Sequence, residues 1–324
     1  MEACILSVDI GTSMVKAGLF TPQMAMLACA RAEYRLDTGG GLVELDAGTY
    51  FNAFREGVAR LPAELLARVG AIGVASQGET LVAVGGDGQP LAPAIVWLDS
   101  RAEAQAGQLR QSLDSRAFYS RTGLPGIGGS LPLAKLLWLR QRRPEIYKKT
   151  ACFLLAEDYM LYRLCGRLCT EKSVQCSTGY FDITRADGWW GEALEAAGVG
   201  AGKLPELLEP GQVAGRLLPG AARALGLKAG IPVCTGAMDQ TAAALAAGCN
   251  RVGRVAESTG TALVAAAYTR APAFSAARPV TVYRHALPGA FLYIPIGNTG
   301  GMALKWFRDG FFEGAPAFGA LDEQ

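Results

Sequence analysis

The residues of this chain that are best suited to chemistry begin with a carboxylate beside a glycine turn. Asp9 ends a short apolar segment, and Gly11, Thr12 and Ser13 interrupt it before alternating apolar residues resume. This pattern predicts a strand, a tight turn and a second strand. The turn's N–H groups and hydroxyls suit phosphate oxygens, and Asp9 suits a Mg²⁺ ion held between carboxylate and phosphate. Lys16 either adds a positive charge or points at solvent, and an ordinary hairpin turn uses the same residue types.

The same pattern occurs again far along the chain. Residues 257–268 read ESTGTALVAAAY, with Gly260 and Thr261 at the turn and Ser258 at the position that Asp9 holds in the first copy. Two such units in one chain indicate an internal duplication. Two facing hairpins could grip one polyphosphate from opposite sides, and only the first copy retains the acid that would hold a metal ion.

Other polar residues follow the ends of two further predicted strands. Gln77, Gly78 and Glu79 come directly after one of them, and a Gln and a Glu can hydrogen-bond several vicinal hydroxyls. Asp239 comes just past a strand and a glycine, at the start of a predicted helix, where α/β folds bind ligands. An acid that only stabilises the helix N-terminus through the dipole explains Asp239 equally well.

Taken together, these segments resemble the FGGY family of carbohydrate kinases, which belongs to the actin-like ATPase superfamily. The resemblance rests on five segments in the family's order: 9–13 (DIGTS), 76–80 (SQGET), 97–101 (WLDSR), 236–240 (GAMDQ) and 258–261 (STGT). It covers essentially all of this chain, and the family's usual chain is expected to continue well past residue 324.

The resemblance implies roles for several of these residues. It makes Asp239 the catalytic base that accepts the proton of the attacking hydroxyl, and it makes Gln240 similar to a polyol-binding Gln of glycerol kinases. It assigns Gly260 and Thr261 to a second phosphate loop. The implied cofactors are ATP and Mg²⁺, with the first hairpin as the phosphate cradle.

The resemblance leaves the acceptor sugar open. Glycerol kinases carry Arg and Glu at the positions of Gly78 and Glu79, and xylulokinases carry Met and His, so this chain matches neither fully. Asp99 lies in a segment that resembles the border of the sugar pocket, although a structural bridge to Arg101 is equally consistent. A xylulose-like ketose is favoured, with polyols and aldonates as alternatives.

Composition excludes several other classes of protein. The 324 residues are half apolar and carry a net charge of +2 with scattered Lys and Arg, so we expect no nucleic-acid partner. No apolar run is long enough for a membrane span, and no signal peptide is recognised, so a cytoplasmic protein is expected. The eight cysteines lack zinc-site spacing, and a single histidine makes a Ser-His-Asp hydrolase improbable. The expected partners are a small sugar or polyol and ATP, with a homodimer as a further expectation.

The expected fold class is α/β. Hairpins alternating with helices predict a mixed sheet flanked by helices. The resemblance implies an actin-like (ribonuclease H-like) duplicated fold with a five-stranded mixed sheet and an incomplete second domain. Residues 1–248 would form the N-terminal sugar-kinase domain, and residues 249–324 would begin the nucleotide-binding domain. Within the first domain, residues 49–69 and 153–164 are predicted as helices, and residues 231–235 as a strand.

Three functions are compatible with these observations. The leading one is an ATP-dependent carbohydrate kinase with Asp239 as general base. The alternative is a non-catalytic sugar-binding or regulatory protein on the same fold, inactive through truncation. A chaperone-type ATPase of the superfamily would not need Gln77 and Glu79 beside a sugar pocket, and the fold alone cannot separate the three.

Overall fold

A computed structural model describes residues 2–185, 188–259, 263–297 and 300–312 of the chain. The strands are β1 (Cys4–Ile10), β2 (Met14–Phe20), β3 (Met26–Glu33), β4 (Glu44–Leu45), β5 (Val69–Ser76), β6 (Leu81–Gly85), β7 (Ala94–Ile95), β8 (Thr150–Leu155), β9 (Cys169–Glu171), β10 (Glu206–Leu208), β11 (Val213–Arg216), β12 (Pro232–Met238), β13 (Val255–Thr259), β14 (Leu263–Thr269), β15 (Val282–Arg284), β16 (Phe291–Tyr293) and β17 (Ile296–Gly297). The helices are α1 (Gly48–Ala59), α2 (Ala63–Leu66), α3 (Glu103–Ser112), α4 (Ser115–Thr122), α5 (Pro132–Arg142), α6 (Pro144–Lys149), α7 (Ala156–Cys165), α8 (Lys172–Gln175), α9 (Gly191–Ala197), α10 (Pro219–Leu225), α11 (Asp239–Ala246) and α12 (Gly301–Phe311).

The main sheet has the strand order β11-β12-β5-β1-β2-β3. Strands β12, β5 and β1 are parallel to one another, and β2, β3 and β11 run antiparallel to their neighbours. The predicted mixed sheet is therefore confirmed, with one strand more than the expected five. The extra strand, β11, has only four residues, one of which is a glycine, so it gives little strand signal.

Helix α1 packs against β2 and β3 through the face that its sequence spacing predicts. Phe51, Phe54 and Val58 are buried on this face, and Tyr50 is buried with them. In β1, Leu6, Val8 and Ile10 are also buried because alternate side chains of the strand face one layer of helices.

Two predicted helices have different bounds in the structure. The helix expected over residues 49–69 ends at Ala59, because Pro62 interrupts it, and β5 already begins at Val69. The segment 153–164 divides into the end of β8 and most of α7. Strand β8 pairs with β6, and a continuous apolar run does not by itself distinguish a buried strand from a buried helix.

The second hairpin is present as the internal repeat predicts. Strands β13 and β14 are antiparallel, with Thr259 opposite Leu263, and the turn between them lies outside the described residues. This sheet docks on the first part of the chain, where Val282 N–H donates to Gly123 O at 2.9 Å and Tyr119 OH donates to Val280 O at 2.8 Å. The division at residue 248 remains a prediction. None of the described helices combines the length and the apolar content that crossing a bilayer requires.

The end of β12 departs from regular pairing just before α11. Its register against β5 shifts between Thr235 and Met238. The strand ends at Met238, three residues past the predicted end at residue 235. A Cβ placed on Gly236 would lie 1.9 Å from the backbone oxygen of Val74. The close approach of the two strands at this bulge therefore requires glycine.

We expect Gly236→Ala to lower the free energy of unfolding by about 3 kcal/mol, because the added methyl group would overlap a backbone carbonyl that cannot rotate away. Gly73→Ala in β5 is the matched control, since a Cβ there meets nothing within 4 Å. Urea denaturation of both variants measures the difference. Equal stabilities of the two variants would contradict the close approach.

Candidate active site at the carboxyl edge of the main sheet

Three parallel strands end at one edge of the sheet and bring the predicted site residues together. Ile10 of β1 and Met238 of β12 both lie in register with Ser76 of β5. The segments that follow these strands are residues 11–13, 77–79 and 239–240, so the predicted phosphate turn, sugar segment and base share one edge. Such an edge is where open α/β sheets bind ligands.

The first turn is held in place from several sides. Gly11 N–H donates to Met14 O at 3.0 Å, and the hydroxyl of Tyr34 donates to Gly11 O. The hydroxyl of Thr12 accepts a hydrogen bond from Trp97 Nε1 at 2.9 Å. Ser13 is exposed, so its hydroxyl is free to meet solvent or a ligand.

Gln77 connects this turn to the sugar segment. Its Oε1 accepts from Thr12 Oγ1 at 3.0 Å, its Nε2 donates to the hydroxyl of Tyr50 at 3.4 Å, and its backbone N–H donates to Ile10 O at 2.9 Å. Gln77 is buried, and both ends of its amide are used within the protein. The structure therefore gives it an orienting contact to Thr12.

Gly78 lies where no side chain fits. A Cβ on this residue would be 2.6 Å from Ser177 Oγ and 3.5 Å from Met238 Sδ. The Ser177 hydroxyl therefore occupies the space into which a side chain at position 78 would begin to project.

Asp9 and Lys16 form an ion pair of 3.0 Å at the mouth of the first hairpin, and both side chains are partly exposed. One or two carboxylates at a glycine turn fit a Mg²⁺ ion that takes its other ligands from phosphate and water. Among the described residues, no group of three or more His, Cys, Asp or Glu side chains is arranged to hold a metal ion by itself.

Asp239 is the first residue of α11, as predicted, and its Oδ1 accepts the N–H of Gln240 at 2.6 Å. Burial raises the pKa of Asp239 to about 6, that N–H bond opposes the rise, the charge of Asp9 adds to it, and Lys16 opposes it. A carboxylate with this pKa is ionised at neutral pH and is a stronger base than an exposed Asp.

Glu79 has a strained backbone. Its φ is +57°, in the left-handed region that a non-glycine residue rarely adopts. Burial raises the pKa of its carboxyl to about 7, the charge of Lys135 opposes this rise, and the charge of Asp239 adds to it. The charge of Asp239 thus reaches the carboxyl of Glu79.

Lys135 of α5 stabilises the left-handed backbone conformation of Glu79. Its side chain is fully buried, and its Nζ donates to Glu79 O at 3.1 Å and to Val96 O at 2.9 Å. Burial lowers the pKa of Lys135 to about 7 against the opposing charges of Glu79 and Asp99. The Lys135 ammonium group therefore links the backbone of Glu79 to that of Val96, the residue before Trp97.

The structure shows a bridge between Asp99 and Arg101. Its carboxylate accepts from Val43 N and from Arg101 N, Nε and Nη2, at 2.6–2.8 Å. Arg101 also donates to Glu44 at 2.7 Å and lies over the ring of Trp138. Asp99 thus forms the buried structural bridge that was one of its two interpretations, and its substrate-binding role stays a prediction.

Gln240 lines a cleft between α11 and the second hairpin. The cavity there has a volume of about 190 Å³, and Ala243, Ala247, Glu257 and Ser258 also line it. The second predicted phosphate loop, with Gly260 and Thr261, lies outside the described residues.

Two residues of the site have no counterpart in the sequence-based prediction. Tyr283 of β15 is buried, and its pKa is raised by burial, by the charge of Glu79, and further by Cys176 and Asp239. Its phenol therefore lies within reach of the charges of both acids, although its sequence position carries no signal of this. Lys135 does carry one, because it is a single charge in the apolar stretch LPLAKLLWL.

Comparison with known proteins gives a consistent result. The model of the FGGY family of carbohydrate kinases, N-terminal domain, matches residues 4–246. An autoinducer-2 kinase from Escherichia coli is 29% identical over 320 residues, which are 95% of this chain and 59% of that protein. A xylulose kinase from Bacillus subtilis is 28% identical over 311 residues, which are 95% of this chain and 62% of that protein.

The fold comparison agrees with the sequence comparison. The crystal structure of a xylulose kinase from Rhodospirillum rubrum superimposes with a TM-score of 0.88 at 26% identity, covering 99% of this chain and 66% of that one. The chain spans about 60% of the length of the curated relatives it matches. On the strength of the family match over residues 4–246, the chain belongs to the FGGY family of carbohydrate kinases.

Proposed function

We propose that the protein is an ATP-dependent carbohydrate kinase, which transfers the γ-phosphoryl group of ATP to a hydroxyl of a sugar or polyol. The observation that carries the proposal is the shared edge of three parallel strands, where the glycine turn, Glu79 and Asp239 meet. Phosphoryl transfer needs a phosphate cradle, a site that orients the hydroxyl and a base near its proton, and these three segments match those needs. The names of the relatives, autoinducer-2 kinase and xylulose kinase, support the same class of reaction.

In the proposed reaction, the acceptor hydroxyl donates its proton to the carboxylate of Asp239 while its oxygen attacks the γ-phosphorus. The bond from that phosphorus to the bridging oxygen breaks, and ADP leaves. Asp239 later releases the proton to solvent. Backbone N–H groups of the turn at Gly11–Ser13 would bind the phosphates, with Lys16 as an additional positive charge. Asp9 would hold a Mg²⁺ ion, which supplies charge neutralisation on the phosphates.

The charges at the site favour a neutral acceptor. Glu79 and Asp239 follow strand ends at the same edge of the sheet, and the charges of Asp239 and Asp9 raise the pKa of Glu79 and of Asp239, respectively. An aldonate would bring a further carboxylate against these acids, whereas the hydroxyls of a ketose or polyol can donate to them. We therefore favour a xylulose-like ketose, with polyols next and aldonates last.

Asp239→Asn should lower kcat at least about 100-fold, because the amide cannot accept the hydroxyl's proton as a base. The measurement is a coupled ADP-release assay with a panel of ketopentoses, polyols and aldonates, run on this chain and on any longer natural form that contains it. Asp87→Asn is the control, since Asp87 is exposed in the turn after β6. A panel without turnover in either form would support the alternative of a non-catalytic sugar-binding protein.

The pH dependence of the reaction should show the ionisation of Asp239. Its raised pKa of about 6 means that the base is protonated, and hence inactive, below that pH. We expect kcat/KM to rise with pH and to level off above about pH 7, as measured by the same assay between pH 5 and 8.5. A profile that stays flat down to pH 5 would contradict the assignment of Asp239 as the base.

Lys135→Met should raise the KM for the acceptor about tenfold and change the KM for ATP less than twofold. The substitution removes both donors that hold Glu79 O and Val96 O, so the left-handed conformation of Glu79 loses its anchor. Lys203→Met is the matched control, since Lys203 also donates to two backbone carbonyls, those of Tyr147 and Thr150. If both variants change the acceptor KM equally, Lys135 has no specific role.

A further inference from the structure

Three acidic side chains lie in the interior, on segments that contact the end of β12 just before the proposed catalytic base. Glu157 and Asp158 begin α7, and Glu171 ends β9, and all three are fully buried. Burial raises the pKa of Asp158 and of Glu171 to about 7, and it raises that of Glu157 further with the charges of the other two. Burial therefore makes each of these three carboxyls harder to ionise than an exposed carboxyl.

Glu171 organises the segment that follows it. Its carboxyl accepts Ser173 N–H at 2.6 Å, Ser173 Oγ–H at 2.8 Å and the N–H of Val174, which caps the short helix α8. The hydroxyl of Ser173 thus has its hydrogen directed to Glu171, and its lone pairs are free to accept.

The lone pairs of Ser173 are used at the end of β12. Ser173 Oγ accepts the backbone N–H of Met238 at 3.0 Å, and Glu157 Oε1 accepts the backbone N–H of Gly236 at 3.2 Å. These two N–H groups lie at the bulge, where the register of β12 against β5 shifts. Side chains from α7 and α8 therefore hold the backbone at the point where the sheet no longer does so.

The location of this contact gives it a specific consequence. Met238 is the N-cap of α11 and directly precedes Asp239, so holding its backbone N–H restricts where α11 begins. A shift of about 1 Å in the base would be enough to reduce catalysis strongly without changing how substrates bind elsewhere.

We propose that Ser173, oriented by Glu171, is a positioning residue that anchors the Met238 peptide and thereby aims the carboxylate of Asp239 at the acceptor hydroxyl. The inference rests on the proposed kinase function for its effect on catalysis, and on the described contacts alone for the anchor.

The interior around this anchor also contains buried polar atoms that lack a hydrogen-bond partner. Glu157 Oε2, Asp158 Oδ1 and Gln175 Oε1 are buried without a hydrogen-bond partner among the described residues. Such groups are costly to bury, and one of the three residues, Glu157, contacts the bulge directly through the N–H of Gly236, while Asp158 and Gln175 pair with each other. This cost is understandable if the network serves the position of the base.

The test is Ser173→Ala, which removes one hydroxyl and leaves the N–H bonds of Glu171 in place. We expect kcat to fall about tenfold, with both KM values within twofold of wild type, and the amide hydrogen of Met238 to exchange at least tenfold faster by NMR. Thr122→Ala is the matched control, because the Thr122 hydroxyl is also fully buried and accepts a backbone N–H, that of Leu124 at 3.1 Å, at the end of α4. The control should lower Tm similarly and leave kcat and the exchange of Met238 unchanged.

The possible outcomes test two claims separately: that Ser173 anchors the N–H of Met238, and that this anchor affects catalysis. Unchanged exchange at Met238 would overturn the anchor, and faster exchange with unchanged kcat would overturn its role in catalysis. A proportional loss of kcat in Thr122→Ala would also overturn it, because a general loss of stability would then explain the effect. If the wild-type protein shows no turnover, the proposed kinase function fails, and faster exchange in Ser173→Ala still supports the anchor.

Discussion

The structure depends on the backbone pairing of β1, β5 and β12, because this pairing fixes where three chain segments leave the sheet. Ile10, Ser76 and Met238 lie at one level, and hydrogen bonds between parallel strands permit no gradual sliding of this register. The segments after these residues contain few bulky side chains, so the site is shaped mainly by the positions of the strand ends. The side chains add chemistry to a geometry that the sheet has already set.

Unfavourable local features are concentrated at this edge. Glu79 has a positive φ, the bulge at Gly236 leaves a strand end without regular pairing, and Lys135 is buried with two carbonyl acceptors. Each feature costs stability, and each is held by contacts from helices behind the sheet. A fold optimised for stability alone would have no reason to place them together, whereas an edge that must present two acids in a fixed geometry does.

The sequence predicts the parts of the site that depend on local pattern. The hairpin around Gly11, the start of α11 at Asp239 and the repeated hairpin follow from short-range spacing, and the structure confirms them. The bridge between Asp99 and Arg101 was one of the two interpretations of the sequence, but the contacts of this pair with Val43 and Glu44 join distant segments, which spacing does not encode. The influence of both acids on the pKa of Tyr283 is equally long-range. The boundaries around β8 were wrong for a related reason, since a buried strand and a buried helix have the same apolar composition.

Charges from two different segments act on the two acids of the site, Glu79 and Asp239. Burial raises the pKa of both Glu79 and Asp239, and the opposing positive charges come from Lys135 on one side and Lys16 on the other. Lys135 is committed to the backbone of the sugar segment, whereas Lys16 is exposed and paired with Asp9. Binding of a metal–nucleotide complex beside Asp9 would bring phosphate charge near Lys16 and a cation near Asp9. The net field at Asp239 would then depend on how completely the cation balances the phosphates. In the proposed kinase reaction, the same balance would decide whether Asp239 is ionised when the acceptor hydroxyl arrives, and nucleotide binding at the turn would then control the activity of the proposed base.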